Sequence, residues 1–307
     1  MGLENPQRIS VIDPIGPAIE HVRLMLFKPF DLSKWFIIGF CAWLAQLGQG
    51  GSGGGNGWRS DSHEPIFNTI KDGILAHLAV IILIAAIIVP IIIIIAVVLC
   101  WLRSRGQFMF VHCVAVNKAE VVVPWNKFAR HGNSLFLFRI ILGFIGFLVI
   151  GLPIAASIFA GFAMFATGFN LAAILGLTGA IFIVFVVAFL IGLIAKLTTD
   201  FVVPIMFLNT ESCVAGWKQC LTLINGNKAQ MALYILLQIV IFMVIAFISL
   251  TICVVTCCCC CCLLVLFVLP YVGIVILLPL FAFKRAYSLF YLRQFGTQFD
   301  VFSVQPV

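Results

Sequence analysis

The chain has 307 residues, of which 63% are hydrophobic and only 9% charged. A soluble globular domain carries about 25% charged residues, so this composition excludes a water-soluble enzyme and points to an integral membrane protein. The net charge of +7 is what basic loops at a membrane surface produce, and it calls for no nucleic-acid partner.

The first segment, MGLENPQRISVIDPIGP, has no basic region leading into an apolar core, so no cleavable signal peptide is expected. Pro6 stands where an N-myristoylation pattern requires Ser or Thr. An amphipathic stretch follows, with Ile19, Val22 and Leu26 on one side and Glu20 and Arg23 opposite. Trp35 to Leu47 is apolar but short, and it spans only if its flanks extend the helix. The next segment, GQGGSGGGNGWRSDSHEP, reads as a flexible linker. Its formal GxGxxG match at Gly48, Gly50 and Gly53 lacks a preceding strand and carries no weight.

Five longer apolar runs follow: Ile74 to Leu102, Leu135 to Phe169, Leu171 to Ala195, Met231 to Val255, and Leu263 to Phe283. Each approaches or exceeds the roughly 20 residues that cross a bilayer, where the backbone must be helical. The runs do not alternate polar and apolar residues, which excludes an outer-membrane barrel. Pro90, Pro153 and Pro270 fall inside runs and are expected to kink them.

Lysine and arginine distribute unevenly between the runs. Four precede Trp35, two lie between Gly48 and Gly73, five between Arg103 and Ser134, three between Lys196 and Gln230, and three in the tail. Basic and less basic loops alternate only if Trp35 to Leu47 crosses. The fold expected is therefore an all-α polytopic transmembrane bundle of about six spans, with both termini cytoplasmic.

The six spans group as three hairpins, because PWNKFARHGNSLFLFRIIL resembles GWKQCLTLINGNKAQMALYILL: Trp125 aligns with Trp217, Gly132 with Gly226, and Asn133 with Asn227. Ser33 occupies the corresponding place in the first copy, and these three positions are expected to cap the first helix of each hairpin. This gives one membrane domain over residues 1–307, with hairpins at 18–102, 112–195 and 205–283 and a cytoplasmic tail at 284–307. Each hairpin is preceded by a cytoplasmic interfacial helix, in the third copy with Val214, Trp217, Leu221 and Ile224 on the apolar side and Lys218 and Gln219 facing away. FKRAYSLFYLRQF reads as a fourth such helix. Trp125, Trp217, Arg139, Lys284 and Arg285 are the expected membrane-interface anchors.

Chemistry is hard to find. No carboxylate is expected at mid-depth, and GxxxxGK[ST] and HExxH are missing from the sequence. Glu120, Asp200 and Glu211 read as solvated surface. His112 and Cys113 are adjacent and should point apart. No catalytic residue and no cofactor is expected. Six consecutive cysteines, Cys257 to Cys262, fall in the short turn between the last two runs. Cys257, Cys258, Cys261 and Cys262 are weak candidates for a soft metal, but the plainer reading is small apolar residues filling a turn.

RSRGQFMFVHCVAVNKAEVVVPWNKFARHGNSLFLFR, the closing LPLFAFKRAYSLFYLRQFG, and KPFDLSKWFIIGF followed by glycines together resemble a family of uncharacterised bacterial multi-pass membrane proteins. The resemblance implies an inner-membrane helical bundle and supplies no catalytic residues. More loosely, the layout is similar to the membrane domain of some glycerophosphodiester phosphodiesterases, whose soluble catalytic domain is lacking here. The function expected is a non-enzymatic membrane scaffold or accessory protein. Its partners would be membrane lipids, and proteins or a second copy of the chain. The alternative is a transporter or channel for a neutral or lipid-like solute, with a cavity lined by Thr178, Thr198, Thr199 or Asn209.

Overall fold

Helices that are apolar on every face have no reason to fold against one another in water, and in this protein they extend outward from a packed base. The computed structural model describes residues 9–47, 78–167, 171–209, 212–259 and 270–303. Among these no strand occurs. The helices are α1 (Ile15–Phe27), α2 (Leu32–Gln46), α3 (Leu78–Val116), α4 (Val122–Lys127), α5 (Ala129–Thr167) and α6 (Leu171–Leu197). A π-helical turn, Thr198–Val202, joins α6 to α7 (Val203–Asn209). Then come α8 (Cys213–Gly226), α9 (Lys228–Cys259), α10 (Pro270–Ile276) and α11 (Leu278–Arg293), with two 3-10 turns to Ser303.

Four helices among the described residues are long and apolar enough to cross a bilayer: Ile82–Val116, Ala129–Ile158, Ile174–Asn209 and Lys228–Thr251. At 39 residues, α3 is roughly 58 Å long, almost twice the ~30 Å hydrocarbon core. Its first half is an apolar arm, with Ile82, Leu83 and Ile94 all more than half exposed. Its second half is core, with Phe108, Met109, Val111 and Val114 essentially buried. The expected loop at Arg103 is thus helical to Val116, because the sequence there changes from uniformly apolar to one-sided without a breaker. The same division holds for α5, α6 and α9, whose outer residues Phe147, Phe182 and Phe247 are exposed while Leu135, Leu197 and Tyr234 are buried.

Two of the six expected crossings stand apart from these four. The described part of Trp35 to Leu47 belongs to α2, a 15-residue helix of roughly 22 Å. It runs antiparallel to the buried half of α3: Lys34 Nζ donates to Asn117 Oδ1, and Gln107 Nε2 donates to Ala45 O. The run Leu263 to Phe283 lies partly outside the described residues. From Pro270 it forms α10 and α11, which break at Leu277, where Pro279 opens the new helix.

Close crossings set the base. A Cβ on Gly106 would lie 2.6 Å from the Leu44 carbonyl carbon, and one on Gly39 would lie 2.7 Å from Val275 Cγ2. Only glycine lets α2 sit this near to α3 and α10. Between α3, α4 and α5, the Arg105 guanidinium lies 4.5 Å from the Trp101 ring centroid and 4.9 Å from that of Trp125.

Three capping expectations are corrected. Asp31, not Ser33, caps α2, accepting from the Ser33 amide. Asn133 lies inside α5 and accepts from Trp101 Nε1 at 3.1 Å. Asn227 does sit at the α8–α9 junction, but its side chain donates back to Leu223 O. Asp31 and Asn227 bond to nearby backbone, where the local geometry decides the direction, whereas Asn133 bonds to a side chain of the neighbouring helix.

The amphipathic helices are also seated differently. α1 buries Ala18, Val22, Met25 and Leu26, with the Arg23–Glu20 pair outside. α8 buries Cys213, Gly216 and Cys220, while Val214 and Leu221 are exposed. The expected interfacial tail, α11, is instead a core helix: Leu278, Ala282, Tyr287, Leu289, Tyr291 and Leu292 are buried. Its tyrosines supply the reason, since each hydroxyl has an internal partner. Tyr287 donates to Val11 O and Tyr291 to Gln230 O.

Candidate functional site

Ionisable side chains within membrane helices are costly and therefore mark function by default. In this protein they converge where α6, α9 and α11 meet. The π turn is the positioning element. It widens the helix by one residue, as the Val203 amide bonds to Thr198 O, a distortion often found at functional sites. Asp200 lies within it and is 4% exposed.

Asp200 Oδ2 accepts from Lys196 Nζ one turn earlier and from the Tyr234 hydroxyl at 3.1 Å. Lys196 Nζ also donates to Gln238 Oε1 at 3.0 Å, and Gln238 Nε2 donates to Tyr234 Oη at 2.9 Å, closing a ring of four side chains. Tyr234 stacks on Tyr291, with centroids 4.5 Å apart, and lies parallel to Tyr287 at 5.8 Å. Such stacking fixes its hydroxyl and adds about 0.5–1.5 kcal/mol per pair.

From α11, Arg285 donates through Nη1 to Thr199 O, a carbonyl of the π turn. The residue is 5% exposed, yet its Nε and Nη2 find no partner among the described residues. Burial pushes the guanidinium down to about 10, against the favourable charge of Asp200. Lys284 is also lowered by burial and makes no hydrogen bond among the described residues.

Two cavities share Lys284 in their lining. One, about 70 Å³, is the more polar of the two, with Gln107, Thr199, Asp200, Lys284 and Arg285 in its lining beside Phe110 and Phe281. The other, about 330 Å³, lies between α6 and α9 and is mostly apolar, lined by Phe189, Leu193, Ile235, Ile239 and Phe242, with Lys196 and Lys284 at its end. Together the groups supply three cations and one carboxylate, a local charge of +2.

The sequence reading missed this site. Asp200 is buried and paired rather than solvated. The signals present were Lys196 and Asp200, then Tyr234 and Gln238, each at i, i+4 spacing. Of the expected anchors, Arg285 is buried and Lys284 lines both cavities. Arg139 donates to Ser104 Oγ at 3.2 Å rather than to headgroups. Trp125 packs on Trp101, and Trp217 packs on Phe138, so both are half-buried joints between helices.

Glu120 lies 3.8 Å from both Lys118 and His112, and Glu211 lies outside the described residues. His112 and Cys113 do point apart: His112 faces Phe128 and Phe207, and Cys113 Sγ lies 3.7 Å from Cys41 Sγ. His21 and His131 pack among phenylalanines.

Cys257 and Cys258 are in α9, which continues to Cys259 rather than turning. Cys261 and Cys262 lie outside the described residues, and no metal-binding group of His, Cys, Asp and Glu occurs among those described. The four polar residues proposed for a transport path have different surroundings among the described residues. Thr178 and Thr198 bond to their own helices, Thr199 lines the polar cavity, and Asn209 lines a separate pocket with Gln219.

A family of unknown function (DUF7544) matches residues 9–268, and the chain belongs to it. This agrees with the resemblance to uncharacterised multi-pass membrane proteins and does not extend to glycerophosphodiester phosphodiesterases. No curated protein and no solved structure matches the chain.

Proposed function

We propose that the protein is a non-enzymatic inner-membrane scaffold, acting through lipid and protein contacts, with six spans and its packed base on the cytoplasmic side. The observation that carries this reading is the division of each long helix. The bases are packed into one core, while the arms leave large apolar side chains such as Phe147, Leu152, Phe185 and Phe247 more than two-thirds exposed. Arms that pack little against one another present broad surfaces to lipid and to other spans. The basic loops at the base agree with a cytoplasmic position.

A photo-crosslinking residue placed in turn at Phe147, Phe182 and Phe247 in native membranes tests this. The expected result is protein adducts of defined size at one or two of the positions. Lipid adducts alone at all three would overturn the scaffold reading. Protein-dependent flux of a neutral solute into vesicles would favour transport instead.

A further inference from the structure

We propose that the two cavities that share Lys284 form one site for an anionic phospholipid, its phosphate held by Lys284 and Arg285 and one acyl chain lying between α6 and α9. The proposal rests on the membrane reading above and gives that reading a specific ligand.

Charge balance comes first. Lys196, Lys284 and Arg285 face a single carboxylate, Asp200, and Lys196 already satisfies it. Arg285 is 5% exposed with Nε and Nη2 unpartnered. A buried guanidinium with two idle donors is costly unless an anion completes it. A phosphodiester oxygen suits it, since guanidinium and phosphate make charge-assisted bonds. Lys284 lines the polar and the apolar cavity alike, so the charged end of the ligand must lie at Lys284.

The second observation is the apolar groove leading away from that point. Phe189, Leu193, Ile239 and Phe242 line it, and Phe189, Ile239 and Phe242 are also surface-exposed. It therefore opens sideways, toward the bilayer. From Lys196 back to Phe189, and from Tyr234 on to Phe242, the walls run roughly 10–12 Å along the helices. That is about a third of the hydrocarbon thickness, enough to guide the upper part of a chain whose remainder lies in bulk lipid. Free inorganic phosphate would leave this groove unused. A zwitterionic lipid would bring its own cation against the local charge of +2. Basic pockets between spans are suited to anionic headgroups.

The full-length protein, in detergent with phosphatidylcholine and phosphatidylglycerol of matched chains in equal amounts, is examined by native mass spectrometry. We expect one phosphatidylglycerol to be retained in preference to phosphatidylcholine. Lys284→Gln should reduce that preference about tenfold. Ile239→Trp, which fills the groove without touching the charged ring, should reduce retention of either lipid at the site. Lys218→Gln, on an exposed face, should change nothing. Equal retention of both headgroups by the unaltered protein would overturn the proposal. So would displacement of the lipid by millimolar inorganic phosphate, which would mark a free-anion site. If Lys284→Gln fails to fold, the headgroup preference of the unaltered protein and the Ile239→Trp result still decide. None of these outcomes depends on the protein adducts that test the scaffold reading, so either can fail alone.

Discussion

Tyr234 donates to Asp200 at 3.1 Å across 34 residues of sequence, tying α9 to the π turn that ends α6. The bond is one edge of the ring through Lys196 and Gln238, and Lys284 and Arg285 line the cavity beside it. Asp200→Ala removes the only carboxylate among three cations, so its cost should exceed that of a lone hydrogen bond. Breaking a fully buried pair costs about 3–5 kcal/mol. The Lys196 side chain is 31% exposed, so about 2–3 kcal/mol is expected. Tyr234→Phe, which keeps the ring and the stacking, should cost only about 1 kcal/mol. Thermal unfolding in detergent checks both, and equal losses would show that the ring acts through packing alone.

Lys284 gives the site a pH dependence with a definite sign. Burial lowers its pKa from 10.5, so between the lowered value and 10.5 the unfolded chain binds more protons than the folded one. Stability of the delipidated protein should therefore rise with pH across that window. Cys213 and Cys220, which burial pushes up to about 12, work the other way above about pH 9, their ordinary range. The informative quantity is therefore the difference in melting temperature between the unaltered protein and Lys284→Met. The variant should be the more stable at pH 7, and its advantage should shrink toward pH 10. A difference independent of pH would mean that Lys284 is solvated when lipid is removed.

Composition and periodicity made the membrane class and four long helices legible, because uniform apolarity over 20 residues has one physical solution in a bilayer. They could not show where a helix leaves the bilayer and enters the base. Residues such as Phe108, Met109 and Val111 suit lipid and protein core equally. For α11, Lys284 and Arg285 beside aromatic residues read as a membrane anchor, and it is the contacts with Val11, Thr199 and Gln230 that reveal a core helix. Asp200 was missed for a related reason, since the π turn that buries it leaves no mark in composition. Where a helix bends or widens depends on partners far away in sequence.

The α2–α3 crossing rests on one absent side chain. A Cβ at Gly106 would fall 2.6 Å from Leu44 C and Cβ and 2.7 Å from Ala45 N, and backbone cannot yield as a side-chain tip can. Gly106→Ala should therefore destabilise by about 1–3 kcal/mol, the cost of overpacking. Gly179→Ala is the contrasting case, since nothing lies within 4 Å of its added methyl. It should be neutral or stabilising by about 0.5–1 kcal/mol, as for glycine replaced within a helix. Comparable melting temperatures for the two variants would mean that α2 and α3 can separate without cost.

The cysteines test the orientation of the whole molecule. From Lys228 to Cys257, α9 rises roughly 44 Å, which puts Cys257 and Cys258, the start of the cysteine run, at the far end of the arm from the base. Cys41, Cys113, Cys213 and Cys220 are buried in that base, where burial keeps the last two protonated to about pH 12 and so poor nucleophiles. With the base cytoplasmic, a membrane-impermeant maleimide added to intact cells should label the run. Replacing Cys257 to Cys262 with serine should abolish that signal. Cys213 and Cys220 should react only after permeabilisation and unfolding. Labelling of the run that requires permeabilisation would place the base, and with it the charged ring and the lipid site, on the outer face of the membrane.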